Sequence, residues 1–120
     1  MPTILIADDS ASETALITKV VQDLGHNSFA VTDGEQALEQ AGKIKPDLIL
    51  LDVVMPKVDG FNTCRKLKKN PETAGIPVIM VSSKNQESDQ FWAERQGANG
   101  YVIKPFTPET LAGTIRKFLS

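Results

Sequence analysis

A chain of 120 residues, 41% of them hydrophobic, is long enough to bury a core unaided, and its formal net charge of −2 supplies no global basic field for nucleic acid. The single cysteine, Cys64, excludes an internal disulfide framework and suits a reducing compartment. The start of the chain lacks the pattern of a signal peptide, and no apolar run nears the roughly 18 residues of a membrane span, so the expected address is the cytoplasm.

Strand and helix patterns alternate along the chain, the mark of an α/β doubly wound sheet. Thr3 to Ala7 reads as a first strand. Ser10, with Glu13 three residues on, has the pattern of a capping box for a helix bearing Ile17, Val20, Val21 and Leu24 and stopped by Gly25. Ser28 to Val31 is a short second strand. Asp33 caps a second helix with Ala37, Leu38 and Ala41 facing inward and Gly42 at its end. Leu48 to Leu51 is the third strand. A Pro- and Gly-punctuated loop, Met55 to Gly60, leads into a helix with Phe61, Cys64 and Leu67 on one face. Val78 to Val81 is the fourth strand. A helix near Gln86 to Gln96 follows, carrying Phe91 and Trp92, which are expected mainly to pack. Tyr101 to Ile103 is the fifth strand, and Thr107-Pro108 opens a last helix with Leu111, Ile115, Phe118 and Leu119. Five β and five α segments fill residues 1–120, so one domain with no appended output domain is expected.

The chemistry lies at the strand ends. Asp8-Asp9 follow the first strand, Asp52 the third, and Lys104-Pro105 the fifth. Continuous apolar runs of this kind read as buried parallel strands whose carboxyl ends open onto one edge. Three carboxylates gathered there repel one another unless a hard cation neutralises them, which predicts Mg²⁺ and phosphoryl chemistry.

The order Asp8-Asp9, Asp52 with Met55-Pro56 and Asp59-Gly60, Ser82, then Lys104-Pro105-Phe106 resembles the receiver domain of two-component response regulators over essentially the whole chain. The resemblance implies a flavodoxin-like (CheY-like) five-stranded parallel sheet of order 2-1-3-4-5 flanked by five helices, an order given for the chemotaxis receiver as a standard example of the fold. It implies that Asp52 is the phosphoacceptor. Asp9 would bind Mg²⁺ directly and Asp8 through water, with the Val54 backbone carbonyl and Asp52 completing the protein ligands. Lys104 would neutralise the added charge, aimed inward by a cis bond to Pro105. Ser82 and Tyr101 would form the switch, moving together to repack the surface of the fourth helix, fifth strand and fifth helix. Val54 and Lys84, two residues beyond Asp52 and Ser82, would tune phosphate lifetime.

The resemblance further implies a histidine kinase as donor and a protein as output target, with no nucleic-acid or membrane contact. A monomer is expected, with dimerisation on phosphorylation left open. It would be a switch rather than an enzyme, catalysing only its own phosphorylation and dephosphorylation. The stretch Phe91 to Ala98, with Asp52 to Pro56, is similar to regulators of type IV pilus twitching motility. A phosphate-sink role is the alternative within the family. An acid-dehalogenase-type phosphatase would need an acid where Val54 stands, and a flavodoxin-like electron carrier would not place Asp8-Asp9 against an FMN phosphate. A pseudo-receiver is disfavoured by the complete acid set. Arg65, Lys66, Lys68 and Lys69 read as a solvated basic helix end, and His26 as a turn residue.

Overall fold

The computed structural model describes residues 1–119. Its elements are β1 (Thr3–Ala7), α1 (Ala11–Asp23), β2 (Asn27–Val31), α2 (Gly34–Ile44), β3 (Leu48–Leu51), α3 (Gly60–Lys69), β4 (Val78–Ser82), α4 (Glu87–Arg95), β5 (Gly100–Ile103) and α5 (Pro108–Phe118). The five strands form one parallel sheet in the order β2-β1-β3-β4-β5, the flavodoxin-like, CheY-like arrangement. Parallel pairing forces each connection to cross a sheet face, and the helices bury both faces. That is why β3 and β4 are wholly buried, β3 an unbroken apolar run and β4 apolar as far as Ser82, whereas edge strand β2 is mostly exposed.

One core layer joins Leu5, Ile49, Leu51 and Met80 to Ala37, Ala41, Cys64, Leu67 and Ala93, under α2, α3 and α4. The other joins Ile4, Ile6, Leu50, Ile79 and Val81 to Ile17, Val21, Leu111 and Ile115, under α1 and α5. Each large aliphatic side chain buried this way stabilises the fold by about 1.5–3 kcal/mol relative to exposure. The register Ala7↔Leu51 and Ser82↔Ile103 brings the ends of these strands to one edge.

Four local expectations change. Gly42 lies inside α2, because its φ is not positive and nothing requires the helix to stop there; the helix ends at Lys45, with φ 46°. Only half of the Ser10 box forms. The Ser10 hydroxyl accepts from the Glu13 N–H at 3.3 Å, but the Ser10 N–H donates to Asp8 Oδ1 at 2.9 Å. Lys68 is not solvated: its Nζ donates to the Ala74 and Ile76 carbonyls and to Asn99 Oδ1 at 3.4, 2.7 and 3.0 Å. Phe91 and Trp92 are both exposed, because only Ala93 of α4 reaches the core.

Candidate functional site: an acidic cluster closed by a lysine

Asp8 and Asp52 follow adjacent strands, and the Asp52 N–H donates to the Ala7 carbonyl at 3.0 Å, so their side chains emerge side by side. Asp8 is buried and Asp52 nearly so, while Asp9 faces solvent. One carboxylate oxygen from each lies within 4.8 Å of the others. Lys104 enters from β5. Its Nζ donates to Asp8 Oδ2 at 2.7 Å and to Asp52 Oδ2 at 3.3 Å, and its peptide bond to Pro105 is cis.

Burial pulls the Lys104 ammonium below the ordinary lysine range, but the hydrogen bond it donates to Asp8 and the charge of Asp52 outweigh it and leave the pKa raised. Three carboxylates against one ammonium leave the cluster with a net charge of −2 when all four are ionised. An all-oxygen donor set of that charge fits a divalent hard cation. Octahedral Mg²⁺ with bonds of about 2.0–2.1 Å spans oxygens at most about 4.2 Å apart, close to the spacing present. The residues therefore fit Mg²⁺.

The loop after Asp52 is held close by Gly60, whose N–H donates to the Val53 carbonyl at 2.7 Å. A Cβ there would clash with the Asp52 carbonyl oxygen, so any larger residue would force the loop to shift. The Val54 N–H donates to Asp52 Oδ1 at 3.3 Å and its side chain points to solvent. Ser82 is fully buried at the end of β4; its hydroxyl accepts from the Lys84 N–H at 3.3 Å. Lys84 itself is exposed. The Tyr101 hydroxyl is not left to water, since it donates to the Lys84 carbonyl at 2.7 Å. Partial burial, then the charge of Asp89, raise its pKa. A cavity of about 380 Å³ lined by Ser10, Glu13, Ser83, Lys104 and Pro105 opens beside the lysine. Sequence reading passed over Glu13 and Ser83 as lining residues, because only the fold shows that α1 and the β4–α4 loop meet there.

Comparison with known proteins agrees with this geometry. The model of the response regulator receiver domain matches residues 4–116. The chain belongs to this family. It is 42% identical to protein PilH of Pseudomonas aeruginosa over 120 residues, covering 100% of this chain and 99% of that protein. Among solved structures, the Vibrio cholerae chemotaxis protein CheY4 superimposes with a TM-score of 0.92 at 30% identity, covering 98% of each chain. The receiver domain of sensor histidine kinase PA1611 from Pseudomonas aeruginosa superimposes at 0.91 with 25% identity, covering 98% of this chain and 97% of that one. That structure has a magnesium ion coordinated in the active site cleft. Other curated relatives, at 34–36% identity, are longer proteins of which the chain spans 47–49%. Receiver domains are signalling switches of two-component systems and bind Mg²⁺ in this acidic pocket. No helix among the described residues is long and apolar enough to cross a membrane.

Proposed function

We propose that this receiver is a phosphorylation switch in which Asp52 takes a phosphoryl group from a histidine kinase. The observation that carries the reading is the triad of Asp8, Asp9 and Asp52 with Lys104 bonded to two of its members. An Asp52 carboxylate oxygen attacks phosphorus, the P–N bond of the donor phosphohistidine breaks, and the imidazole leaves. Asp9 and the Val54 carbonyl would hold Mg²⁺ directly, with Asp52, and Asp8 would hold it through water. Bound there, Mg²⁺ supplies electrostatic stabilisation of the transferring phosphoryl oxygens.

The chain's own residues do the rest. Lys104 trades its bonds to Asp8 and Asp52 for the new anion, which adds about −1.5 to −2 of charge. Ser82 donates its hydroxyl to a phosphoryl oxygen and releases the Lys84 N–H. Tyr101, tied to the carbonyl of that same residue, follows, so the change reaches the surface of α4, β5 and α5. A coupling of roughly 1–3 kcal/mol shifts partner affinity about 5- to 150-fold. The reader of this surface is a protein, and the similarity to PilH together with the Phe91–Ala98 stretch favours twitching-motility signalling. Dephosphorylation follows by attack of water on phosphorus. Val54 has no polar group to orient that water, and Lys84 shields the phosphoryl group.

Two measurements test the reading. Acetyl phosphate with Mg²⁺ adds one phosphoryl group to the parent, seen by intact mass, and none to Asp52→Asn or in the presence of EDTA. A label that persists in Asp52→Asn defeats the assignment. After donor removal the label decays over minutes or longer; decay within seconds defeats the role given to Val54 and Lys84.

A further inference from the structure

The aromatic pair on α4 lies off the Tyr101 side of that helix, away from the β5 and α5 part of the surface proposed above to report phosphorylation. A helix turns by about 100° per residue, so the neighbours of Ala93, the residue that α4 buries, flank it on opposite sides. Gln90 and Glu94 fall on the β5 side and line a polar cavity of about 390 Å³ with Asn99 and Tyr101. Trp92 falls on the other side, toward α3. Phe91 and Arg95 lie outward of it, with the Arg95 guanidinium 5.6 Å from the Phe91 ring centre and the two rings edge to face at 6.3 Å. Trp92 is 54% and Phe91 53% exposed.

The same steps on α3 place Arg65 on the facing lip. Cys64 points at α4, its thiol 3.5 Å from the Gln96 carbonyl, and Lys68 lies under Gly97, so Arg65 is the next residue outward and Lys69 continues the strip. Helix α3 contains no acidic residue, whereas the acids of α4 lie on its β5 side or in its first turn. Among the described residues Arg65, Lys69 and Arg95 form no ion pair; the Arg65 guanidinium donates only to the Asn62 side-chain oxygen at 2.9 Å. A two-ring aromatic patch rimmed by unpaired cations is therefore complementary to one kind of surface, an apolar stripe flanked by carboxylates.

We propose that the α3–α4 groove docks an acidic amphipathic segment of a partner protein, its apolar side chains on Trp92 and Phe91 and its carboxylates on Arg65, Lys69 and Arg95. Contact on this flank leaves the Tyr101 surface free, so one partner can be held while another reads the switch.

Trp92 is the sole tryptophan, so its emission reports contact directly. The probe is a synthetic helical peptide with leucines at i, i+4 spacing flanked by glutamates, set against a counterpart with lysines in their place. The unphosphorylated, metal-free protein is used, so the result is independent of the role given to Asp52. The acidic peptide is expected to shift Trp92 emission to the blue saturably, to bind at least tenfold more tightly than the lysine peptide, and to weaken with salt. With labelled peptide and anisotropy, Arg65→Glu lowers affinity at least tenfold while Glu94→Lys in the other cavity changes it less than twofold; thermal melts confirm that both variants fold. Failure of both peptides to bind, equal binding of the two, or loss on Glu94→Lys but not on Arg65→Glu overturns the proposal. An emission shift that grows with protein concentration alone also overturns it, since a second copy then fills the groove.

Discussion

Two lysines are drawn into this molecule at opposite edges of one sheet, and their partners separate a charged candidate site from a structural staple. Lys104 meets two carboxylates at the carboxyl ends of the strands, and its pKa is raised despite burial. Lys68 meets three neutral oxygens at the amino ends of β4 and β5, and burial lowers its pKa. Asn99 completes the second arrangement by accepting from both Lys68 and the Val78 N–H, which pins the start of β4 and the α4–β5 turn to α3. Burial of a lysine thus says little by itself. A charged partner set leaves an imbalance that a cation or phosphoryl group can exploit, and a neutral set leaves nothing to exchange.

The largest effect is expected from Lys104→Met. Removing the ammonium leaves Asp8 and Asp52 facing each other in a nearly buried site, a loss of about 3 kcal/mol in urea unfolding without metal. Mg²⁺ should restore more stability to the variant than it adds to the parent, because it replaces the missing charge. A variant as stable as the parent without Mg²⁺ would show that the acids tolerate one another and that Lys104 is incidental.

Lys68→Met keeps the length of the side chain and removes three donors. The Ala74 and Ile76 carbonyls and the Asn99 side chain lose a partner, so about 1–3 kcal/mol is expected, with phosphorylation by acetyl phosphate unchanged. The pH dependence of the two losses has opposite sign. Lys104 has a folded pKa above 10.5, so its contribution is whole below that value and lost as pH rises through the folded pKa. Lys68 has a folded pKa below 10.5; there the unfolded chain binds more protons, and the parent gains stability as pH rises into that window. The gap between parent and variant should narrow with rising pH for Lys104→Met and widen for Lys68→Met. Parallel curves would break the comparison.

The two lysines also differ in how far the sequence discloses them. Lys104 stands next to a proline at the end of an apolar run, and two other runs end in aspartates, so the runs place these residues at one sheet edge and the resemblance to receiver domains supplies their roles. The buried strands β1, β3 and β4 are legible for the same reason: both faces are covered, and every position from Ile4 to Ala7, Leu48 to Leu51 and Val78 to Val81 is apolar. Lys68 sits among Arg65, Lys66 and Lys69 at a helix end, where only the fold decides which cation turns under the α4–β5 loop. Its partners are two backbone carbonyls and an asparagine 31 residues away, none of which carries a pattern. Exposure of Trp92 was equally hidden, because its burial depends on how steeply α4 leans on the sheet. The half-formed box at Ser10 shows a related limit, since the competing acceptor is the Asp8 carboxylate of the site itself.

Cys64 gives the smallest and most local test of the neutral edge. Its thiol is fully buried between α3 and α4, and burial raises its pKa to about 11, against the opposing pull of the nearby Lys68 charge. At pH 8 about one thiol in a thousand is ionised, compared with about one in ten for a cysteine at its ordinary value of 9.0, so iodoacetamide should label the native protein about a hundredfold more slowly than the urea-unfolded chain. Between pH 9 and 11 the unfolded thiol gives up its proton before the folded one does, so this group's contribution to stability is present below pH 9 and lost toward pH 11. Cys64→Ala should lack that component of the alkaline decline although it begins less stable. In Lys68→Met the opposing charge is gone, so native Cys64 should ionise at still higher pH. If that substitution instead speeds native labelling, Lys68 is holding α3 against α4 more than it is polarising the thiol, and the staple is the stronger half of its role.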